Sequence, residues 1–301
     1  MGTPSYLVVG GGCVGASTAF ALKQAEPGAA VTLVDRTRFP CPLAAAHDVN
    51  KIVRSEYEDP MYMTLALEAI REWKSNPLLK PFFHQTGILY AGGADGIGQA
   101  IIDAYERLLG KGNSLASLLG PEDMKARFGG VYRDADWAGV TDCTWNPEAG
   151  WGDAANALDA VIHAAIACGV KHITATVARV DLDRDGRCAG VTTNDGRRLS
   201  ADKVVLCTGA TTAWLLADSF PGRPDLQVGE RMVAAASVMC TFRIPEDQRP
   251  KLSSAPIIVH PLGKYPGEHN PSRITQRCTL TYFSRVHSLY RPWLVEMHPR
   301  A

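Results

Sequence analysis

Net charge is the first thing this sequence lacks. Over 301 residues, 31 Lys and Arg balance 31 Asp and Glu, so there is no basic surplus to meet nucleic acid or an anionic membrane surface. The eight cysteines include no C-x-x-C pair. They read as buried thiols of a reducing compartment, not as a disulfide or zinc framework, and no metal site is predicted. There is no H-E-x-x-H and no Ser-His-Asp order, which removes the familiar hydrolase readings. No internal repeat is found. Met1 to Leu22 is uncharged and long enough to span a bilayer. Yet it is dense in Gly, Ser and Thr, has no basic flank and is accounted for in full by the motif below, so neither a signal peptide nor an anchor is expected. Pro299-Arg300-Ala301 is no peroxisomal address. Together these absences predict an intracellular, cytoplasmic protein with no nucleic-acid or membrane partner.

Apolar residues make up 46% of the chain and charged residues 21%, an ordinary globular balance with room for one large or two medium domains. The organising stretch is the first thirty-five residues. An apolar run, Tyr6 to Val9, enters Gly10-Gly11-Gly12-Cys13-Val14-Gly15; a helical pattern follows over Ala16 to Ala25, and a second strand, Ala30 to Val34, ends on Asp35. Gly10, Gly12 and Gly15 occupy the G-x-G-x-x-G positions. The first permits a tight turn, the second lets a pyrophosphate approach the backbone, and the third lets helix and strand pack closely. N–H groups at the helix start would face the phosphates. Asp35 falls twenty residues after Gly15, where a carboxylate accepts from ribose hydroxyls. The motif predicts a dinucleotide and leaves NAD and FAD both open.

Further along, Asp59-Pro60 reads as a helix start, with Asp as cap and Pro at the first helical position. Tyr62, Leu65, Ala66, Ala69, Ile70 and Trp73 then keep helical spacing. Thr86 to Ala91 and Val140 to Trp145 read as strands, Ile101 to Leu109 as a helix ending at Gly110, and Pro121 to Phe128 as a short helix. Asp153 caps another helix that ends at Gly169. Thr176 to Asp183, Cys188 to Thr193 and the turns at Asp185-Gly186 and Asp195-Gly196 make a β-meander. Lys203 to Cys207 is an apolar strand expected at the centre of a parallel sheet. It runs into Thr208-Gly209-Ala210, a second place where backbone can lie against a cofactor. From Val259 onward the composition shifts to six Lys or Arg against two acids, with four of the eight histidines. Thr279 to Phe283 is the one strand pattern there.

The segment Ala45-Ala46-His47-Asp48-Val49-Asn50-Lys51-Ile52-Val53-Arg54, read with the glycine motif, resembles the S-S-x-D-x-N-K-I-x-R pattern of a flavoprotein family. These are the amine oxidases similar to monomeric sarcosine oxidase, in the fungal branch of fructosyl amino acid oxidases (amadoriases) and saccharopine or pipecolate oxidases. The likeness continues through Tyr57, Asp59-Pro60, Trp73 and Asn146 to Trp151, and to Thr208-Gly209-Ala210; it covers residues 5–258. The resemblance implies FAD. Gly12, Cys13 and Val14 would meet the pyrophosphate, Asp35 and Arg36 the adenosine, and Val177 the adenine through its backbone. His47, Asn50 and Lys51 would lie along the ribityl chain and isoalloxazine. Lys51 and Arg54 become the catalytic candidates, with the Lys51 cation stabilising negative charge on the reduced flavin.

The implied fold is α/β: a Rossmann-like FAD-binding domain with an interposed α+β, β-rich substrate domain. The partition assigns 1–84 and 150–228 to the FAD domain, and 85–149 and 229–301 to the substrate domain, with 259–301 a divergent tail. The implied reaction is oxidation of the C–N bond of a secondary or N-alkyl amino acid by O₂, giving H₂O₂, in a monomer. The resemblance also implies a chain continuing well beyond this one, so a C-terminal truncation is expected. Cys278 is not expected to bind flavin covalently, and Lys264 is the candidate for a lysine that promotes O₂ reaction. Two alternatives stand: a catalytically inactive, truncated flavin-binding homologue, and an NAD(P)-dependent dehydrogenase.

Overall fold

The strand that the sequence places first, β1 (Ser5–Val9), is the spine of a parallel sheet in the computed structural model, which describes residues 2–92, 96–135, 137–234, 243–253, 255–259 and 279–280. After β1 come α1 (Cys13–Ala25), β2 (Ala30–Asp35), β3 (Lys51–Val53), α2 (Pro60–Ser75), β4 (Phe83–His84) and β5 (Ile88–Gly92). Next are α3 (Ile97–Leu109), β6 (Ser117–Leu119), α4 (Pro121–Ala126), β7 (Asp142–Asn146), β8 (Gly150–Gly152) and α5 (Ala154–Ala167). Then follow β9 (Lys171–Thr174), β10 (Val177–Leu182), β11 (Cys188–Thr193), β12 (Arg198–Ser200), β13 (Lys203–Leu206) and α6 (Thr212–Ser219). α7 (Arg249–Leu252), β14 (Ile257–Val259) and β15 (Thr279–Leu280) complete the described elements.

The parallel sheet runs β13-β1-β2-β9. Because side chains alternate along a strand, each strand feeds two cores. Tyr6, Val8, Val31 and Leu33 pack against Ala19 of α1 and Ala165 of α5. Leu7, Val9 and Val34 face the opposite way, onto Ala175 and Val191 at the β10-β11-β12 meander. The result is three layers, and it explains why β1 is apolar without interruption. One expectation needs correcting. β13 is covered on both faces, with Val205 in the helix-side core and Val204 and Leu206 in the meander-side core. Yet it stands at the edge of the sheet among the described residues. An apolar run records what covers a strand's faces; it carries no record of whether a neighbour lies at its side.

The second sheet, β15-β14-β5-β7-β6, is mixed, with β14 parallel to β5 and the other pairs antiparallel. Leu89, Ala91, Cys143 and Ile258 build its core with Met124 and Tyr132. α3 lies on it through Ile101, Ala104 and Tyr105, which also meet Met63 of α2. A small third sheet, β3-β8-β4, packs through Ile52 and Trp151 on Ile88 and Ile257 of the second. It depends on close backbone approach: a Cβ on Gly150 would come within 2.1 Å of the His84 carbonyl oxygen, and one on Gly152 within 2.9 Å of the Trp73 ring. The intervening Trp151 stacks on His84 at 3.9 Å between centroids. α2 starts as expected, with the Met61 N–H donating to Asp59 Oδ1 at 2.8 Å. No helix among the described residues is long and apolar enough to cross a membrane.

Candidate active site

The three motif glycines divide into two kinds. Gly10 has φ +104, and a Cβ there would sit 2.4 Å from the Cys207 carbonyl oxygen. A Cβ on Gly15 would sit 1.7 Å from the Gly10 carbonyl oxygen. Both are demanded by the fold itself, one by backbone conformation and both by close packing. Gly12 is demanded by neither: its φ is −75, and among the described residues, its chain neighbours aside, no atom comes nearer than Ala44 Cβ, 3.9 Å from the Cβ position. The turn is tied down by Gly10 N–H to the Val34 carbonyl at 2.8 Å and by Gly11 N–H to Asp35 Oδ2 at 2.5 Å. α1 begins at Cys13 with no side-chain cap, so its first N–H groups are offered outward. Val14, in that first turn, is 68% exposed.

Around the turn the other predicted residues assemble. Asp35 is half-buried; its Oδ2 holds Gly11, and its Oδ1 makes no hydrogen bond among the described residues. Its carbonyl accepts from Ala175 N–H at 2.7 Å, which brings Val177, at the start of β10, to the same sheet end. Arg36 is exposed beside it. Cys207 lies against Gly10, so the Thr208-Gly209-Ala210 turn borders the glycine turn, with Gly209 at φ +55 and, among the described residues beyond its chain neighbours, no heavy atom within 4 Å of its Cβ position. A glycine with clear space, outward-facing donors and a carboxylate oxygen still able to accept are what a dinucleotide's pyrophosphate and ribose require. The residues present therefore fit the dinucleotide that the sequence predicts.

His47 lies on the loop that leads away from this turn. That loop packs Phe39 and Ala46 against Ala16, Leu158 and Ile162, and the Asp48 carbonyl accepts from Ala155 N–H at 3.1 Å at the start of α5. The chain is thereby carried into β3 and to the remaining candidates. The Asn50 side chain is half-buried and makes no hydrogen bond among the described residues. Lys51 is half exposed and pairs with Asp48 at 2.6 Å, so its charge is already offset. Arg54 is half-buried. Its guanidinium lies over the Tyr57 ring at 4.2 Å and 5.9 Å from the Tyr90 centroid. One nitrogen, Nη1, donates to the Glu56 carbonyl; the others make no hydrogen bond among the described residues. The candidates thus fall into two groups, one at the glycine turn and one in and on either side of β3, joined by the loop that follows β2. Lys264 and Cys278 lie outside the described residues.

Directly behind Arg54 is a buried polar cluster that sequence reasoning missed. Ser55, Glu56, Tyr105 and Asn146 are each 5% exposed or less. Ser55 Oγ and the Tyr105 hydroxyl lie 2.7 Å apart. Tyr105 also donates to Glu56 Oε1 at 3.3 Å, and Asn146 Nδ2 donates to the same oxygen. Burial and the Glu56 charge push the Tyr105 hydroxyl well above the usual phenol range. The cluster left no local signal, because its members are joined across 49 and 90 positions of the chain.

Elsewhere burial decides the titration. It pushes the Cys143 thiol up to about 12, so this cysteine is inert. It holds the His172 imidazole below its ordinary value against the opposing pull of Asp35; His172 Nε2 is buried without a hydrogen-bond partner among the described residues, and the Phe39 ring stands edge-on at 4.9 Å. The unfolded chain therefore takes up this proton first as pH falls below about 6.5. Stability is expected to decline from there and to level off below the folded-state value. His172→Gln should flatten the drop of a few degrees in Tm between about pH 7.5 and about pH 5.5. An equal drop in both proteins would remove His172 as its source.

Comparison with known proteins adds the following. Residues 5–266 match the family described as FAD dependent oxidoreductase. The L-saccharopine oxidase of Schizosaccharomyces pombe is 27% identical over 219 residues, covering 68% of this chain and 51% of that protein. The amino acid oxidase imqH of Aspergillus flavus is 27% identical over 253 residues, covering 70% and 53%. A modified fructosyl peptide oxidase from Aspergillus nidulans, solved in complex with FSA, superposes with a TM-score of 0.72 at 29% identity, covering 86% of this chain and 60% of that one. The chain spans about half the length of the curated relatives it matches.

Proposed function

The chain belongs to the FAD dependent oxidoreductases, and from that premise we propose that it oxidises the C–N bond of a secondary or N-alkyl amino acid, with O₂ as acceptor and H₂O₂ as product. The observation that carries the reading is Arg54: a half-buried guanidinium with unused donors, framed by Tyr57 and Tyr90, in a protein whose glycine turn fits a dinucleotide. Relatives named for saccharopine, amino acid and fructosyl peptide oxidation support it.

When bound, FAD supplies the two-electron acceptor and its reoxidation by O₂. The chain's own residues bind and orient. Arg54 presents planar donors suited to a carboxylate, which fixes one end of an amino acid and leaves its amine to be placed by the remaining walls. The guanidinium rests over the Tyr57 ring, with the Tyr90 ring farther off, and both rings pack on the core beneath α3. Asn50 immediately precedes β3 and Arg54 immediately follows it, and the Asn50 amide makes no hydrogen bond among the described residues. The substrate loses two electrons and two protons from its C–N unit, and water hydrolyses the resulting imine.

The test is a panel of N-substituted amino acids offered to the FAD-loaded protein, with peroxide read by a coupled peroxidase. Steady H₂O₂ release that depends on the amine is the expected result. Amine-dependent NADH formation without peroxide would overturn the reading in favour of a dehydrogenase. Bound FAD with no turnover across the panel would leave the inactive flavin-binding homologue.

A further inference from the structure

Glu56 is an uneconomical way to build a purely structural anchor. Its Oε1 accepts from Asn146 Nδ2 and from the Tyr105 hydroxyl, a task that a glutamine oxygen performs equally well. Its Oε2 is buried with no hydrogen-bond partner, and no Lys or Arg pairs with the carboxylate among the described residues. A buried charge without a counter-charge is costly. One cation is brought close by the same backbone: the Arg54 guanidinium bonds to Glu56's own carbonyl, so covalent geometry keeps it within a side chain's length of the carboxylate. Arg54 in turn owes its placement to Glu56 twice over. That carbonyl holds Nη1, and the side chain on the same residue pins the turn to the end of β7 and to α3 through Asn146 and Tyr105.

We propose that Glu56 is the buried counter-charge and positioning residue of Arg54, setting how strongly this side of the site holds a carboxylate. The inference rests on the reading of Arg54 as the carboxylate anchor. With Glu56 in place the guanidinium is partly neutralised before any ligand arrives. A carboxylate is then held firmly enough to be oriented and weakly enough to be released. Without the charge, the same geometry attracts an anion more strongly.

The experiment is protection of Arg54 from phenylglyoxal by benzoate, in the FAD-loaded full chain, with modification mapped by peptide mass. It needs no turnover. Glu56→Gln keeps the shape and the acceptor for Asn146 and removes the charge. The expected result is a protection midpoint lowered roughly threefold to tenfold, since a neighbouring charge at effective protein dielectric shifts binding by about that much. A midpoint within about twofold of the native value in a normally folded E56Q would overturn the proposal and leave the Arg54 reading intact. If benzoate does not protect Arg54 in the native chain, the Arg54 reading falls and the proposal falls with it. Should E56Q fail to fold, Glu56→Asp decides. It keeps the charge but draws it back from Asn146 and Tyr105, so loosened positioning should raise the midpoint, and an unchanged midpoint would again overturn the proposal. A residue that only filled space would move neither.

Discussion

A Gly12→Val protein will fold as the native chain does and fail to retain FAD. The backbone at Gly12 has φ −75, a conformation open to any residue, and among the described residues the added Cβ meets nothing beyond its chain neighbours closer than Ala44 Cβ at 3.9 Å. The valine methyls would project into the approach to the glycine turn, beside the N–H groups at the start of α1. Lost there are charge-assisted hydrogen bonds between backbone and pyrophosphate, each contributing about 1.5–3 kcal/mol. Two of them correspond to a fall in affinity of roughly a hundredfold or more. Gly15→Ala gives the opposite result: its Cβ would stand 1.7 Å from the Gly10 carbonyl oxygen, so α1 must move off β1 and the fold itself fails. Far-UV circular dichroism with a thermal melt, followed by absorbance near 450 nm after desalting, separates the two defects. Native-like flavin content in folded Gly12→Val would show that the pyrophosphate does not pass this residue.

The same contrast explains what could be read from the sequence. The glycine turn was legible because strand, turn, helix and strand are contiguous: Gly15 is held to glycine by Gly10, and Gly11 is tied to Asp35, all within the same thirty-five positions, whereas the Cys207 carbonyl that presses on Gly10 comes from far along the chain. The Asp59-Pro60 helix start was legible for the same reason. The small sheet of β3, β8 and β4 was not. Its strands are two or three residues long, too short for a period, and nothing local shows that His84 and Trp73 press against Gly150 and Gly152. The edge position of β13 depends on pairing with β1 across almost the whole domain. The Glu56 cluster joins residues 90 and 49 positions apart, so no local pattern announces it. Arg54 was a candidate only through its motif; its relation to Tyr57 and Tyr90 required coordinates. The resemblance supplied the family, which the match over residues 5–266 bears out, while the two-group arrangement of the site came from the fold.

Replacing Arg54 should separate binding of the nucleotide from use of the substrate. Arg54→Met keeps most of the stem that packs beside Tyr57 and removes the charge. The lost cation–π contact costs about 1 kcal/mol or less at a half-exposed site, and Glu56 loses its nearby cation, so a modest fall in Tm is expected with FAD content unchanged. The effect on turnover should be far larger. Truncating one partner of a desolvated, hydrogen-bonded charge pair costs about 2–5 kcal/mol, which puts the expected loss of kcat/KM at roughly thirtyfold to several thousandfold. Substrate choice discriminates this from general damage. The native protein should prefer an N-methyl amino acid over its uncharged amide, because only the carboxylate can take the unused guanidinium donors. In Arg54→Met that preference should collapse, with the amide's own kcat/KM moving little. Arg54→Lys should recover a part, since a point charge replaces the planar fork without its paired geometry. If Arg54→Met slowed acid and amide alike, the guanidinium would be supporting the structure of β3 and not gripping a carboxylate, and the substrate's anchor would have to be sought at another cation.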